Sequence, residues 1–599
     1  MILLRKIVPC LAIALLAAPP VLAAAAAPLR LPRHFVLSRA HVANAPRGNH
    51  RFAASPGDVG SANTVTADAP VPRPNETPCV KTLFANATFS QYAAQTFAYT
   101  PPAGCPGPFA KIVFNGTFGV SAGVQFDRTA SIEVGNVPIY FGTTAEPGSN
   151  LSPTWHVERD ITDEAALLAK PQSVEADIFN IVDSTYTGVI SGTAFVQFYP
   201  ATKTFPAATT PDVVLPFPGV AGGPQILNTG SSALVATYTL PMNTDGAYID
   251  VYAQSQQEDE QYFNCAPTDV AAELFACPDG PLRETEIAID GQPAGVAPVS
   301  PWIFTGGLDP YLWFPIPGVQ TLEFKPYRVN LTPFAAKLAN GKPHTISLSV
   351  DNADAYFQAF GTLLAFTDHG SKTVTGALTQ DTLVANPPAS TQEHLSGTSP
   401  SIDGTIEVSS TRGYRIAGYV KTSKGLVATT VDESLAFDNK QTYSNESDTT
   451  GTLAVQQTTT ALQTVTTIGD GGIDVASDLF AFPLTESLAL VLDDTGTGTQ
   501  VASIDQHYSH VHVETSPFLA FASYESNEVK PTDTLEILDD EFITGNANQS
   551  STQTFSSFDT TGNCYTQSIK AANNVVTAVS PPACVPSMAS RTLRALLRR

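Results

Sequence analysis

The chain has 599 residues, 43% of them hydrophobic and only 14% charged, which is long enough for several domains with cores of their own. Its 55 acidic and 31 basic side chains leave a formal charge of −24. A surface that acidic repels phosphate backbones and argues against nucleic acid as a partner.

In chain order, the first 27 residues have the form of a signal peptide. Arg5 and Lys6 precede the apolar run Ile7–Val21, and Ala23–Ala27 offer small-residue cleavage sites. An uncleaved anchor is the alternative, but the run is short for one. Residues 28–75 are rich in Pro, Ala, Arg and His without a period, and are expected to be a propeptide or disordered linker. Short alternating runs between turn residues then fill 76–205, among them Cys79–Phe89, Ala110–Gly116, Trp155–Asp163 and Ser191–Pro200. Asp163–Lys170 is the one helical turn expected there. A second strand-rich block covers 206–370. A Thr/Ser/Pro-rich stretch opens the last region, 371–599, whose runs are again Thr/Val-rich strands. The reading is all-β: two sandwiches in tandem, then a C-terminal β-rich domain.

Without Cys10 of the leader, six cysteines remain. Six allow 15 connectivities, and the spacing favours Cys79–Cys105, Cys265–Cys277 and Cys564–Cys584. No CxxC and no neighbouring histidine supports zinc. Paired cysteines also fit export.

No HExxH and no phosphate-binding glycine loop is present, and carboxylates are the groups taken to carry chemistry. Gly123–Asn136 alternates as a half-buried strand, with Arg128 on the apolar parity beside Asp127. Such an arginine can hold a carboxylate ionised; an aspartate facing water is the plain alternative. In "QEDEQYFNC", Glu258, Asp259 and Glu260 run into aromatic residues and a cysteine. A carboxyl held there has a raised pKa, as a general acid needs; an acidic surface loop is the alternative. Trp302 and Trp313, in "SPWIFTGGLDPYLWFPIPG", and Trp155 are all three tryptophans of the chain. They are candidates for sugar platforms in loops, or for core.

The segments "GVQFDRTASIEVGNVPIYFGTTAEP", "WHVERDIT", "KPQSVEADIFNIVDSTYTGV" and "SPWIFTGGLDPYLWFPI" resemble the peptide:N-glycosidase A family, secreted amidases that remove N-glycans from asparagine, with a more distant likeness to PNGase F. The resemblance is dense from Cys79 to Gly370. It implies two antiparallel jelly-roll sandwiches with a site between them, and no metal or organic cofactor. It implies Asp127 and Glu260 as catalytic residues, although the run at 256–264 departs from the family pattern. Arg128, Glu146, Trp155, Glu158, Asp183, Trp302, Asp309 and Trp313 follow as orienting or substrate-binding candidates. The implied substrates are N-glycosylated peptides and glycoproteins, met by a monomer that is secreted or periplasmic and free of the membrane once the leader is cut. A glycan-binding protein or inactive relative is the second reading.

Overall fold

The computed structural model describes residues 57–447, 449–517, 520–538, 541–542 and 548–584. The expected signal peptide and residues 28–56 lie outside the described residues. Eight strands come first: β1 (Cys79–Phe89), β2 (Gln95–Tyr99), β3 (Phe109–Val120), β4 (Thr129–Val134), β5 (Val137–Thr143), β6 (Thr154–Asp160), β7 (Gln172–Ile178) and β8 (Ile190–Pro200). They form two antiparallel sheets, β1-β8-β3-β6 and β2-β7-β4-β5. Ile112, Phe114, Val196 and Phe198 of one meet Ile132, Val134, Val174 and Ala176 of the other in a single core, as expected when the apolar faces of two sheets pack. The helical turn expected at 163–170 is present as a 3-10 turn followed by Ala165–Leu168.

The next nine strands repeat the arrangement: β9 (Val213–Phe217), β10 (Gln225–Leu227), β11 (Ala233–Tyr238), β12 (Thr244–Gln256), β13 (Glu284–Ile289), β14 (Gln292–Pro298), β15 (Tyr327–Asn330), β16 (His344–Asp351) and β17 (Tyr356–Thr367). The sheets are β10-β17-β12-β15, with β9 also on β17, and β11-β16-β13-β14. Their core joins Ile249, Val251 and Leu363 to Ile287, Ile346 and Leu348.

The last twelve strands form one antiparallel sheet: β18 (Thr375–Asp381), β19 (Ala389–Thr398), β20 (Ser401–Thr422), β21 (Gly425–Asn445), β22 (Thr450–Gly469), β23 (Gly472–Leu492), β24 (Gly498–Thr515), β25 (Ala520–Leu538), β26 (Glu541–Phe542), β27 (Ser550–Asp559), β28 (Cys564–Ala572) and β29 (Val575–Val579). The β-rich expectation holds, but this sheet lies on the second sandwich. Ile416, Leu435, Leu484, Ile504 and Val529 belong to the same core as Phe263, Ile303 and Trp313. Between these apolar residues the buried face carries amides: Gln441, Gln457, Gln500, Gln506, Gln553 and Gln567 are all buried.

Three differences from the sequence reading matter. First, residues 57–75, expected as the tail of a propeptide or linker, are packed. Val65 and Ala67 are buried, Ala67 N donates to Gln553 Oε1 at 2.6 Å, and Arg73 is ion-paired with Glu158. Second, the strand expected from Gly123 begins only at Thr129. Val124 is 44% exposed while Gln125 is 3% exposed, the reverse of the expected parity. The Gln125 amide explains this: it bonds to Asn180 and, at 2.8 Å, to Gly188 O, which a valine could not do. Third, β4 is buried on both faces, Ser131 and Glu133 included. Its second face meets the second sandwich, as does that of β5, where Phe141 packs edge-on against Tyr252, Phe324 and Phe360. The three expected disulfides are formed. Among the described residues no helix is long and apolar enough to cross a membrane.

Candidate active site

The seam between the two sandwiches gathers three carboxyl groups. Residues 123–128 are an irregular approach to β4, tied to 187–188 through Val124 O, which accepts from Thr187 N and Gly188 N at 2.9 and 3.0 Å. Gly123 has φ +144°, and a Cβ there would meet Gly188 N at 2.7 Å, so only glycine fits. Further along, Arg128 and Thr144 exchange two bonds, Arg128 N to Thr144 Oγ1 and Thr144 N to Arg128 O, each 2.9 Å. That leaves Asp127 between two fixed points. Its own N–H donates to Glu146 Oε2 at 3.0 Å. From the second sandwich, Gly306 N donates to Asp127 Oδ2 at 3.2 Å.

Glu260 comes from the opposite side. β12 ends at Gln256, and two 3-10 turns follow, Gln257–Asp259 and Tyr262–Asn264. The three consecutive acids separate by environment. Glu258 is exposed. Asp259 is fully buried, ion-paired with Arg283 at 2.8 Å, and accepts from the Asp354 and Ala355 N–H groups. Glu260, which follows them, is turned to the seam, where the charge of Asp127 acts on it.

All three groups are shifted the same way. Burial, countered by the Gly306 N–H and Arg128, raises the Asp127 carboxyl above its usual range. Burial and then the Asp127 charge raise Glu146 well above its own. Burial and the Asp127 charge push Glu260 up to about 8. Three carboxyls in one seam cannot all ionise, so protons are retained among them.

Arg128 makes no ion pair with Asp127. Its guanidinium lies 5.3 Å from the Tyr186 ring centroid and 6.0 Å from that of Phe126, and its buried Nε and Nη2 have no partner among the described residues. Gln254 Nε2, fully buried on β12, is also unpartnered. The register shift between β4 and β5 falls at Ile132/Glu133. Uncompensated buried donors cost stability, and these point to an acceptor that arrives from outside.

Other candidates are elsewhere. Trp155, Trp302 and Trp313 are 3%, 6% and 1% exposed, in three separate clusters. They fill cores, where large apolar rings bury most area, and the expected sugar platforms are not among them. Glu158 is bound by Arg73, the Val71 N–H and His156, and against burial His156 and Arg73 hold its pKa low. Exposed Asp183 accepts from Thr185 and Tyr186 N–H groups and so shapes the turn that carries Tyr186. Asp309 is buried at the C-terminal sheet, caps the turn Pro310–Trp313 and faces Asp533.

The aromatic rings at the seam are ones the sequence did not single out. Tyr92 is 65% exposed and packs against Phe179 with the rings tilted by 35° and their centroids 4.9 Å apart. Phe126 meets Tyr186 edge-on. Burial, Tyr92 and Glu260 together raise the Tyr356 phenol, whose hydroxyl donates to Gln256 Oε1 at 3.4 Å. Gly306 was also missed. The Gly-Gly pair inside an aromatic-rich loop was its one sequence signal.

The model of the family described as peptide N-acetyl-β-D-glucosaminyl asparaginase amidase A matches residues 69–378. Over 395 residues the chain is 28% identical to the peptide-N4-(N-acetyl-β-glucosaminyl)asparagine amidase A of Prunus dulcis, covering 62% of this chain and 67% of that one. Among solved structures, PNGF-II shows a TM-score of 0.34 at 14% identity, covering 49% of this chain and 66% of its own. Recombinant peptide:N-glycanase F shows 0.32 at 14%, covering 49% of this chain and 96% of its own.

Proposed function

The chain belongs to the peptide N-acetyl-β-D-glucosaminyl asparaginase amidase A family, and on that premise we propose that it hydrolyses the amide bond between asparagine and the first N-acetylglucosamine of N-glycans. The products are aspartate in the peptide and a glycosylamine, which later loses ammonia. The observation that carries this reading is the seam itself: Asp127, Glu146 and Glu260 with raised proton affinities, beside the unpartnered donors of Arg128.

In this mechanism Glu146 keeps its proton, so Asp127 is the carboxylate. Asp127 positions a water and takes its proton as the oxygen attacks the amide carbon. The Arg128 guanidinium, beside the Tyr186 and Phe126 rings, donates to the carbonyl oxygen as it gains negative charge. This role replaces the expected one of gripping Asp127. Glu260, protonated up to about 8, gives its proton to the departing glycosylamine nitrogen. Bond breaking, attack and proton transfers then balance without any further reactant. Tyr92, Tyr186 and Tyr356 line the approach as faces for the sugar rings.

We read the two sandwiches as tandem jelly rolls bounded near 76–205 and 206–370, with 371–599 as the C-terminal unit. The chain acts as a secreted or periplasmic monomer on N-glycosylated peptides and glycoproteins. The test is incubation with a denatured glycoprotein, read by mass for the gain of about one unit at each former glycan site. Asp127→Asn must abolish the shift while leaving the protein folded. Retention of glycopeptide with no mass change by the natural protein would favour the glycan-binding reading instead.

A further inference from the structure

The loop that joins β14 to β15 is fastened at three levels. At its base, one buried amide holds both ends. Gln506 on β24 is 3% exposed; its Nε2 donates to Pro301 O and its Oε1 accepts from Val319 N, each at 2.7 Å. Gly318 leaves no slack there, since a Cβ would come within 2.9 Å of Gln506 Oε1. Within the loop, Thr321 Oγ1 donates to Ile303 O at 2.7 Å and Trp313 Nε1 to Gly307 O at 2.8 Å. At its tip, Thr305 Oγ1 donates to Thr144 O at 2.6 Å, Thr143 N to Thr321 O at 3.0 Å, and Gly306 N to Asp127 Oδ2. A Cβ on Gly306 would collide with Glu146 Oε2, so the tip sits as close to the carboxyl pair as a backbone can.

We infer that Gln506, in the C-terminal sheet, is a positioning residue for the seam: by clamping both ends of the 301–319 loop it sets the Gly306 N–H against Asp127. The inference rests on the proposed role of Asp127. The chemistry needs an amide at 506, because one neutral group must donate to a carbonyl and accept from an N–H at once. Gln500 supports the same loop from the same strand, donating to Leu308 O at 3.3 Å. The Gly306 N–H is also the strongest influence holding the Asp127 pKa down against burial. A slack loop therefore raises it, and moves the acid limb of turnover to higher pH.

The experiment compares Gln506→Leu, Gln506→Glu and Asp127→Asn on a glycopeptide across pH. Leucine should lower kcat by about 10- to 100-fold with KM little changed, the scale of a small misplacement, and shift the acid limb upward. Glutamate should be close to natural activity at low pH, where its protonated carboxyl can donate and accept as the amide does, and should fall to the leucine level once it ionises. If leucine prevents folding, that pH-dependent rescue in the glutamate variant carries the test, with Thr305→Val as a second variant that frees only the tip. Natural kcat and an unmoved acid limb in the 506 variants, with Asp127→Asn inactive, overturn this inference alone. An active Asp127→Asn overturns the reading of the seam beneath it.

Discussion

Two carboxyl pairs stand at two seams of this molecule, and they are put to different use. Asp127 and Glu146 lie between the sandwiches; Asp309 and Asp533 lie between the second sandwich and the C-terminal sheet. Burial raises the pKa of all four, and in each pair the neighbour's carboxyl adds to the rise of one member, Glu146 and Asp309. Yet Asp309 is fully buried and Asp533 is 2% exposed, and Asp309 is occupied capping a turn. Asp127 and Glu146 are only half-buried, and beside them Arg128 keeps two donors with no partner among the described residues. A perturbed pKa marks burial before it marks chemistry. Access, and a guanidinium with unspent donors beside it, separate the reactive pair from the structural one.

The sharpest way to break this comparison is to neutralise one member of each pair. Asp127→Asn should cost about 10³-fold or more in kcat/KM, the upper range for removing an acid–base group, with an unchanged melting temperature. Asp309→Asn should leave kcat/KM within about threefold and alter only the response of stability to pH. Loss of turnover in a folded Asp309→Asn protein would erase the distinction. Glu260→Gln is next, at about 10²-fold. In the natural protein turnover should fall as pH rises through about 8, where Glu260 loses its proton, and as pH falls far enough to protonate Asp127. The glutamine variant should lose the alkaline limb and keep the acid one. Rate profiles over pH 3 to 10 on a glycopeptide read both limbs.

The structural seam predicts its own pH response. Glu486, fully buried and accepting from Asn264 Nδ2 at 2.8 Å, is raised by burial to about 8, as is Glu284, and Glu433 to about 7. Raised carboxyls stay protonated in the fold where the unfolded chain has ionised. Stability from these groups is therefore full below their unfolded pKa, near 4.5, and declines as pH climbs toward 8. Asp290 and Asp478, lowered to about 2 by their partners, act oppositely, and their contribution fades only as pH drops below about 4. The melting temperature should thus be highest near pH 4 to 5. Glu486→Gln should add roughly 1–3 kcal/mol at pH 8 and almost nothing at pH 4.5. Equal effects at both values would mean that Glu486 is not held protonated.

What the sequence made legible follows the same division. Where one face of a strand is wet, alternation located it: Cys79–Phe89 is β1 to the residue, and β8 differs from its expected span by one. Where a second domain covers the other face, alternation fails, as at β5, whose seven residues are all buried. Periodicity reports one buried face and is silent about a seam. Asp127 and Glu260 were legible through resemblance, and Asp259, Glu260's neighbour, was assigned only by the buried Arg283 that binds it. Gly306 and Gln506 were not legible, since a neutral glycine and a neutral amide carry no signature until the chain brings them to Asp127 and to Pro301. The tryptophans misled for a related reason. Loop-rich surroundings suggested exposed rings, but the loops are themselves buried between layers.

That last difference gives the smallest effect and a clean contrast. Sugar rings pack their C–H faces on an aromatic face that is open to them, and a buried ring cannot offer one. Tyr92 has its ring held in tilted contact with Phe179 and remains mostly exposed, so ring surface is available at little entropic cost. Trp313 is 1% exposed and has spent its N–H on Gly307 O. Tyr92→Ala should therefore raise KM for a glycopeptide about 2- to 10-fold, the worth of a single aromatic contact, with kcat and melting temperature unmoved. Trp313→Phe should do the reverse, lowering the melting temperature through a lost hydrogen bond and a core void, with KM unchanged. Titration with glycopeptides of increasing glycan length would locate the contact. If Tyr92→Ala leaves KM unaltered at every length, the exposed rings at this seam are not the face on which the glycan lies.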